Sequence, residues 1–166
     1  MTSTKILPAE WEPQSRVMLT WPHKQTDFAS ELTKVEFIFC EIASIVSQYE
    51  KVIICSSDEE RTIHIHHLLS KIDCNIENVH IFTAASNDSW ARDHGPITFL
   101  ENGKSVLLDF KFNGWSNKFP YELDNAINIQ LSTQGVLNPE STLRTIDFIL
   151  EGGSIERDGK GTLLTT

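Results

Sequence analysis

The sequence predicts an α/β fold assembled from repeated units, and two observations carry that prediction. Amphipathic helical stripes alternate with short, continuously apolar runs of strand length. In addition, Asn102-Gly103-Lys104-Ser105-Val106-Leu107-Leu108 matches Asp158-Gly159-Lys160-Gly161-Thr162-Leu163-Leu164, 56 residues further on. Units of that size suggest blades around an axis, each delivering a loop to the same central place. Coincidence between two common turn types is the competing reading. The preceding helix and strand repeat as well, which favours true repetition, with units over roughly residues 16–110 and 111–166.

Each element follows in order. Arg16 to Trp21 reads as a short strand stopped by Pro22, because proline cannot donate to a ladder. Phe28, Leu32, Val35, Phe39, Ile42 and Val46 recur at three- and four-residue steps, the apolar stripe of a long helix facing a core. Val52-Ile53-Ile54-Cys55 has the pattern of a strand buried on both faces. Ser57 with Glu60 forms a capping box that opens a second helix to about Leu69. Val79 to Phe82 is a further strand, followed by a polar loop from Ala85 to Pro96. Asn102-Gly103 centres a hairpin, since both positions tolerate positive φ. Asn113 to Pro120 is irregular, Leu123 to Leu131 a helix, Thr145 to Leu150 a strand, and a second hairpin turns at Asp158-Gly159.

Composition narrows the function. The chain has 166 residues, 40% of them hydrophobic and 22% charged, as a folded domain requires. Its net charge of −9 argues against nucleic acid, whose partners concentrate Lys and Arg, and suits a cationic ligand. No apolar run approaches a membrane span and the first residues lack a signal-peptide core, so a cytoplasmic protein with no membrane partner is expected. Cys40, Cys55 and Cys74 have no CxxC spacing and are expected to be buried, reduced thiols. His64, His66 and His67 lack companions at the spacing of a metal motif and read as a solvated helix face. Phosphate-loop, dinucleotide and serine-hydrolase signatures are absent from the sequence.

Chemistry concentrates in two segments. Trp90-Ala91-Arg92-Asp93-His94-Gly95-Pro96 crowds an indole, a guanidinium and a carboxylate into one loop. An Asp carboxylate accepts two parallel N–H bonds from a planar guanidinium, and an indole face holds the cation from above. A structural Arg92–Asp93 pair with Trp90 over the core is the alternative. Glu151-Gly152-Gly153 follows an apolar strand, which puts Glu151 at a strand end, and the two glycines permit a bend or a close ligand approach. A bulge or tight turn with a solvated acid is the alternative there. Trp21-Pro22-His23 and Asn113-Gly114-Trp115 add loop aromatics, packing residues or ligand contacts.

Four blocks, PAEWEPQSRVMLTWPH, NDSWARDHGPI, DFKFNGWSNKFP and EGGSIERDGKGTLLTT, occur in an order and spacing that resemble the agmatine deiminases and Porphyromonas-type peptidyl-arginine deiminases of the guanidino-modifying (pentein) superfamily. The resemblance implies an α/β propeller of five blades with pseudo-fivefold symmetry, of which this chain would hold about two. It implies hydrolysis without metal or cofactor: a cysteine thiolate attacks the guanidinium carbon, ammonia leaves, and water resolves the thiouronium intermediate. The product is N-carbamoylputrescine from agmatine, in polyamine (putrescine) synthesis, or citrulline from peptidyl-arginine. By position, Asp93 corresponds to the carboxylate that holds the guanidinium, and Glu151 to the acid that orients and charges the catalytic histidine. Trp90, Trp21, Arg92 and Trp115 would be substrate-binding.

The family's HxD histidine and its nucleophilic cysteine lie beyond the block ending at GTLLTT, and none of the three cysteines falls at the nucleophile's place. The chain is therefore expected to be the amino-terminal part, about two-fifths, of a single deiminase domain. It should hold the guanidinium-gripping half of the site, be inactive alone, and carry exposed strand edges that favour a homo-oligomer. Asn113-Gly114-Trp115-Ser116 departs from the Asn-Ala-Trp-Gly form of agmatine enzymes, which leaves agmatine and peptidyl-arginine both open. A non-catalytic, self-associating guanidinium binder is the second reading, and an amidinotransferase of the same superfamily the third.

Overall fold

The computed structural model describes residues 4–166. Its elements run β1 (Lys5–Ile6), β2 (Arg16–Thr20), α1 (Leu32–Ser47), β3 (Lys51–Ser56), α2 (Glu59–Leu69) and β4 (Val79–Thr83). Then come the single turn α3 (Ala91–His94), the hairpin β5 (Ile97–Glu101) and β6 (Lys104–Lys111), and the turn α4 (Gly114–Asn117). The short helices α5 (Glu122–Asn125) and α6 (Ile127–Thr133), then β7 (Thr142–Ile149), β8 (Ile155–Arg157) and β9 (Leu163–Thr165), complete the chain.

Three sheets result. The first is parallel, in the order β2-β3-β4. Its central strand β3 is buried on both faces, as the unbroken apolar run requires. Val52 and Ile54 point to a core with Trp21, Cys40, Ala43, Ile65 and Leu69 beneath α1 and α2. Ile53 and Cys55 point to a second core with Phe82, Ile127, Leu131 and Val136 beneath α6. The second sheet is mixed, in the order β1-β5-β6-β7, with β6 and β7 parallel and the other pairs antiparallel. The third is the antiparallel pair β8-β9.

Several expectations are corrected. The stripe proposed for α1 is only half right: Phe39 and Val46 pack on the core, but Phe28 and Ile42 are largely exposed. Glu36, Cys40, Ala43 and Ser47 are the buried positions instead: the last three are small and let the helix axis approach the sheet closely, and Glu36 is buried on its bonds from Trp21 and Arg61. Asp58 rather than Ser57 caps α2, its side chain accepting the Arg61 N–H at 2.7 Å. The expected helix from Leu123 to Leu131 is broken into α5 and α6.

Asn102 and Gly103 form the expected tight turn, with φ of 53° and 78°. The second hairpin differs, since Arg157 pairs with Leu163 across a longer loop. There the Asp158 side chain accepts the N–H groups of Lys160 and Thr162, which a two-residue turn would have sent to the opposite strand. The two matched segments thus share a sequence pattern but not a register.

Candidate functional site

The turn α3 is built on the Trp90 carbonyl, which accepts the N–H groups of Asp93 and His94 at 2.9 and 3.1 Å. This leaves the Asp93 side chain directed to the loop that follows β7. There Gly152 and Gly153 lie directly on α3: a Cβ on Gly152 would collide with the Arg92 carbonyl, and one on Gly153 with the Asp93 carboxylate. The Gly153 N–H donates to Asp93 Oδ1 at 3.1 Å. The close approach that the glycines permit is therefore to the other acidic segment, and it brings Asp93 and Glu151 together.

The two acids line one cavity of about 510 Å3 with Trp115, Phe148, Gly153 and Ser154. That volume falls in the range of small-molecule sites. Burial pushes the Asp93 carboxyl above its ordinary value and the nearby Glu151 adds to the rise, while the Gly153 N–H and Arg92 oppose it. Among the described residues the Glu151 side chain makes no hydrogen bond or ion pair, whereas its carbonyl accepts both the N–H and the hydroxyl of Ser154.

Trp115 comes from α4, where the backbone does something unusual. Gly114, Trp115, Ser116 and Asn117 all have positive φ, between 54° and 64°, so the turn is left-handed. Asn113 caps it by accepting the Ser116 N–H at 3.0 Å. Left-handed conformations at non-glycine residues are costly, and aromatic packing compensates here. The Trp115 ring meets Trp90, Phe112 and Phe119 edge-on, at centroid distances of 4.6, 5.3 and 5.8 Å.

Of the residues expected at a site, Asp93, Glu151 and Trp115 share the cavity and Trp90 stands behind Trp115 as its support. Two are corrected. Trp21 is fully buried in the core under α1, edge-on to Phe39, with its indole N–H on Glu36 at 3.1 Å, so it walls no cavity. Arg92 turns away to ion-pair with Glu10 at 2.5 Å and Glu156 at 3.4 Å. It lines a separate cavity of about 860 Å3 between β5 and the segment from Pro8 to Arg16.

The thiols lie apart from the cavity. Cys40 and Cys55 are buried, and burial pushes their pKa up to about 11 and about 12. Neither carries a thiolate at neutral pH. His64 bonds Glu36 across the helices at 3.1 Å, and no group of three metal-ligating side chains occurs among the described residues. No helix of the described residues is long and apolar enough to cross a membrane.

Two carboxylates that line one cavity with a partly exposed indole, and no lysine or arginine in the lining, can hold a planar organic cation. Fold and cavity together describe a mixed α/β protein with an acidic cavity at the end of β7. The chain belongs to the Porphyromonas-type peptidyl-arginine deiminase family, whose model matches residues 6–166.

Curated relatives include the agmatine deiminase of Pseudomonas aeruginosa (strain LESB58), 29% identical over 166 residues, and that of Stutzerimonas stutzeri (strain A1501), 30% identical over 168 residues. Each alignment covers 96% of this chain and 43% of the relative. Among solved structures, a C. jejuni agmatine deiminase with substrate bound superposes with a TM-score of 0.85 at 36% identity, over 98% of this chain and 46% of that one. The agmatine deiminase of Enterococcus faecalis gives a TM-score of 0.80 at 26% identity, over 97% of this chain and 43% of that one. The chain thus spans less than half the length of the relatives it matches.

Proposed function

We propose that the complete protein hydrolyses a guanidino group to a ureido group and ammonia, and that this chain supplies the half of the site that grips the cation. The observation that carries the reading is the convergence of Asp93 and Glu151 on one cavity beside Trp115. Asp93 accepts the paired N–H bonds of the guanidinium, and Trp115 covers its face. Glu151, unpaired among the described residues, is placed to orient and charge a histidine from the rest of the domain. That same remainder brings the nucleophilic cysteine, since none of Cys40, Cys55 and Cys74 lines the cavity.

The chain is read as the amino-terminal part of one deiminase domain, about two blades of a five-bladed propeller, inactive alone. The names carried by its relatives favour agmatine as substrate, with N-carbamoylputrescine as product, over the arginine side chain of a peptide. Ammonia release by the complete protein on agmatine, free arginine and a peptide ending in arginine tests this directly. Release from agmatine first is expected, and release from none would end the reading. Asp93→Ala should weaken agmatine binding about a hundredfold, the worth of a charge-assisted bidentate contact.

A further inference from the structure

Behind Asp93 lies a chain of buried polar groups that the reaction does not use. The His94 ring is 2% exposed, and its Nε2 meets the hydroxyl of fully buried Thr20 at 3.1 Å. Asn128 of α6 is 1% exposed. Its amide nitrogen donates to the His94 carbonyl at 2.7 Å and to Asp109 Oδ1 at 2.9 Å, so both of its N–H bonds are engaged. Asp109 of β6 is buried in turn and accepts the Thr145 hydroxyl at 3.3 Å.

Five residues from β2, α3, α6, β6 and β7 are thereby tied together. The two bonds on His94, one to its ring and one to its carbonyl, fix the residue that directly follows Asp93. Burying so many polar groups is costly where a simple apolar core would serve. Hydrophobic packing alone could not set the direction of a single carboxylate, whereas a set of directional bonds does. Among the described residues, the Asp93 carboxylate accepts a hydrogen bond from the Gly153 N–H and from no other group.

We propose that Asn128 and Thr20 are positioning residues of the guanidinium site, which act through His94 to hold the Asp93 carboxylate toward the cavity. The proposal rests on the reading of Asp93 as the guanidinium-gripping acid. An amide is required at position 128, because a carboxylate there would face the His94 carbonyl with no proton to give.

The test uses the complete protein, with agmatine titrated by calorimetry from the lowest pH at which the protein stays folded up to pH 8. In the double variant Asn128→Asp with Asp109→Asn, net charge is conserved and a bond between positions 109 and 128 can form in the reverse direction, while the His94 carbonyl loses its donor and faces a carboxylate. Thr20→Val is nearly isosteric, suits a strand, and removes only the partner of the His94 ring.

At least tenfold weaker binding is expected in the double variant and about threefold in Thr20→Val. The acid-side midpoint of binding should also move to lower pH. Burial, reinforced by Glu151 and opposed by Arg92 and the Gly153 N–H, holds the Asp93 carboxyl above its ordinary value, and a carboxylate released toward water falls back. A merely structural role would lower Tm without moving that midpoint. Wild-type affinity and midpoint in the folded double variant would overturn the proposal, and Thr20→Val decides by the same criteria if the double variant does not fold. A wild-type protein that binds no agmatine, or an Asp93→Ala variant that binds it fully, would overturn the underlying reading and the proposal together.

Discussion

The backbone N–H of Gly153 donates to the carboxylate of Asp93 at 3.1 Å, across 60 residues of sequence. This bond joins the two acidic segments, and the absence of a side chain at position 153 is what allows it.

Gly153→Ala should therefore disturb the site more than the fold. The added methyl would collide with Asp93 Oδ1, and rotation of that side chain relieves the clash at the expense of the hydrogen bond. A stability loss of about 1 kcal/mol is expected from the strain. Affinity for agmatine should fall at least tenfold, about 1.4 kcal/mol, as a bond to a charged group is lost. Parallel thermal unfolding and ligand titration separate the two effects.

Asp124 makes the fold sensitive to mild acid in an unusual direction. It is fully buried, and burial pushes its carboxyl up to about 6 even though it accepts the N–H groups of Asn87 and Asp88. The unfolded chain ionises this group near its ordinary value, so its contribution is favourable below about pH 4 and is lost as pH rises through about 6. The contribution is on the order of 3 kcal/mol. Urea unfolding at intervals from pH 4 to 7 should show that decline, and Asp124→Asn should flatten it.

Ser116→Gly should stabilise the protein. Ser116 has φ of 62° in a left-handed turn and is exposed, so its side chain adds conformational cost and contributes little packing. A gain of about 1 kcal/mol, or roughly 2–4 °C in Tm, is expected from glycine there. The Asn113 cap on the same N–H is unaffected by the change.

Glu36 is the buried hub beneath α1, accepting the Trp21 indole N–H at 3.1 Å and Arg61 at 2.8 Å. Glu36→Ala would leave Arg61 unpaired in a half-buried setting and should cost about 3–5 kcal/mol by urea titration. Glu36→Gln keeps an acceptor for the indole and should cost less.

The sequence made β2, β3, β4, the Asn102-Gly103 turn and β7 legible, because each rests on local chemistry: apolar runs of strand length, or a residue pair that tolerates positive φ. The face of α1 was legible in part. Phe39 and Val46 pack as expected, but Phe28 and Ile42 are exposed while Ala43 and Ser47 are buried, and a hydrophobic pattern cannot register that small residues allow close approach. Trp21 was misplaced for a related reason, since the polar partner that makes an indole comfortable in a core, Glu36, lies 15 residues away. Asp93, Glu151 and Trp115 could be picked out by residue type and resemblance. Thr20 and Asn128, which bond His94, come from distant segments and look ordinary in sequence, whereas Gly153, which bonds Asp93, was marked as a point of close approach but not its partner.

The cavity's two carboxylates raise a further matter of timing. Under the proposed function, a guanidinium gripped by Asp93 is balanced by the acid's charge, but hydrolysis would turn it into an uncharged ureido group, and the attraction that retained it would disappear with that change. Departure of the spent molecule would then be driven by the reaction itself, and the vacated cavity would stay acidic for the next cationic arrival.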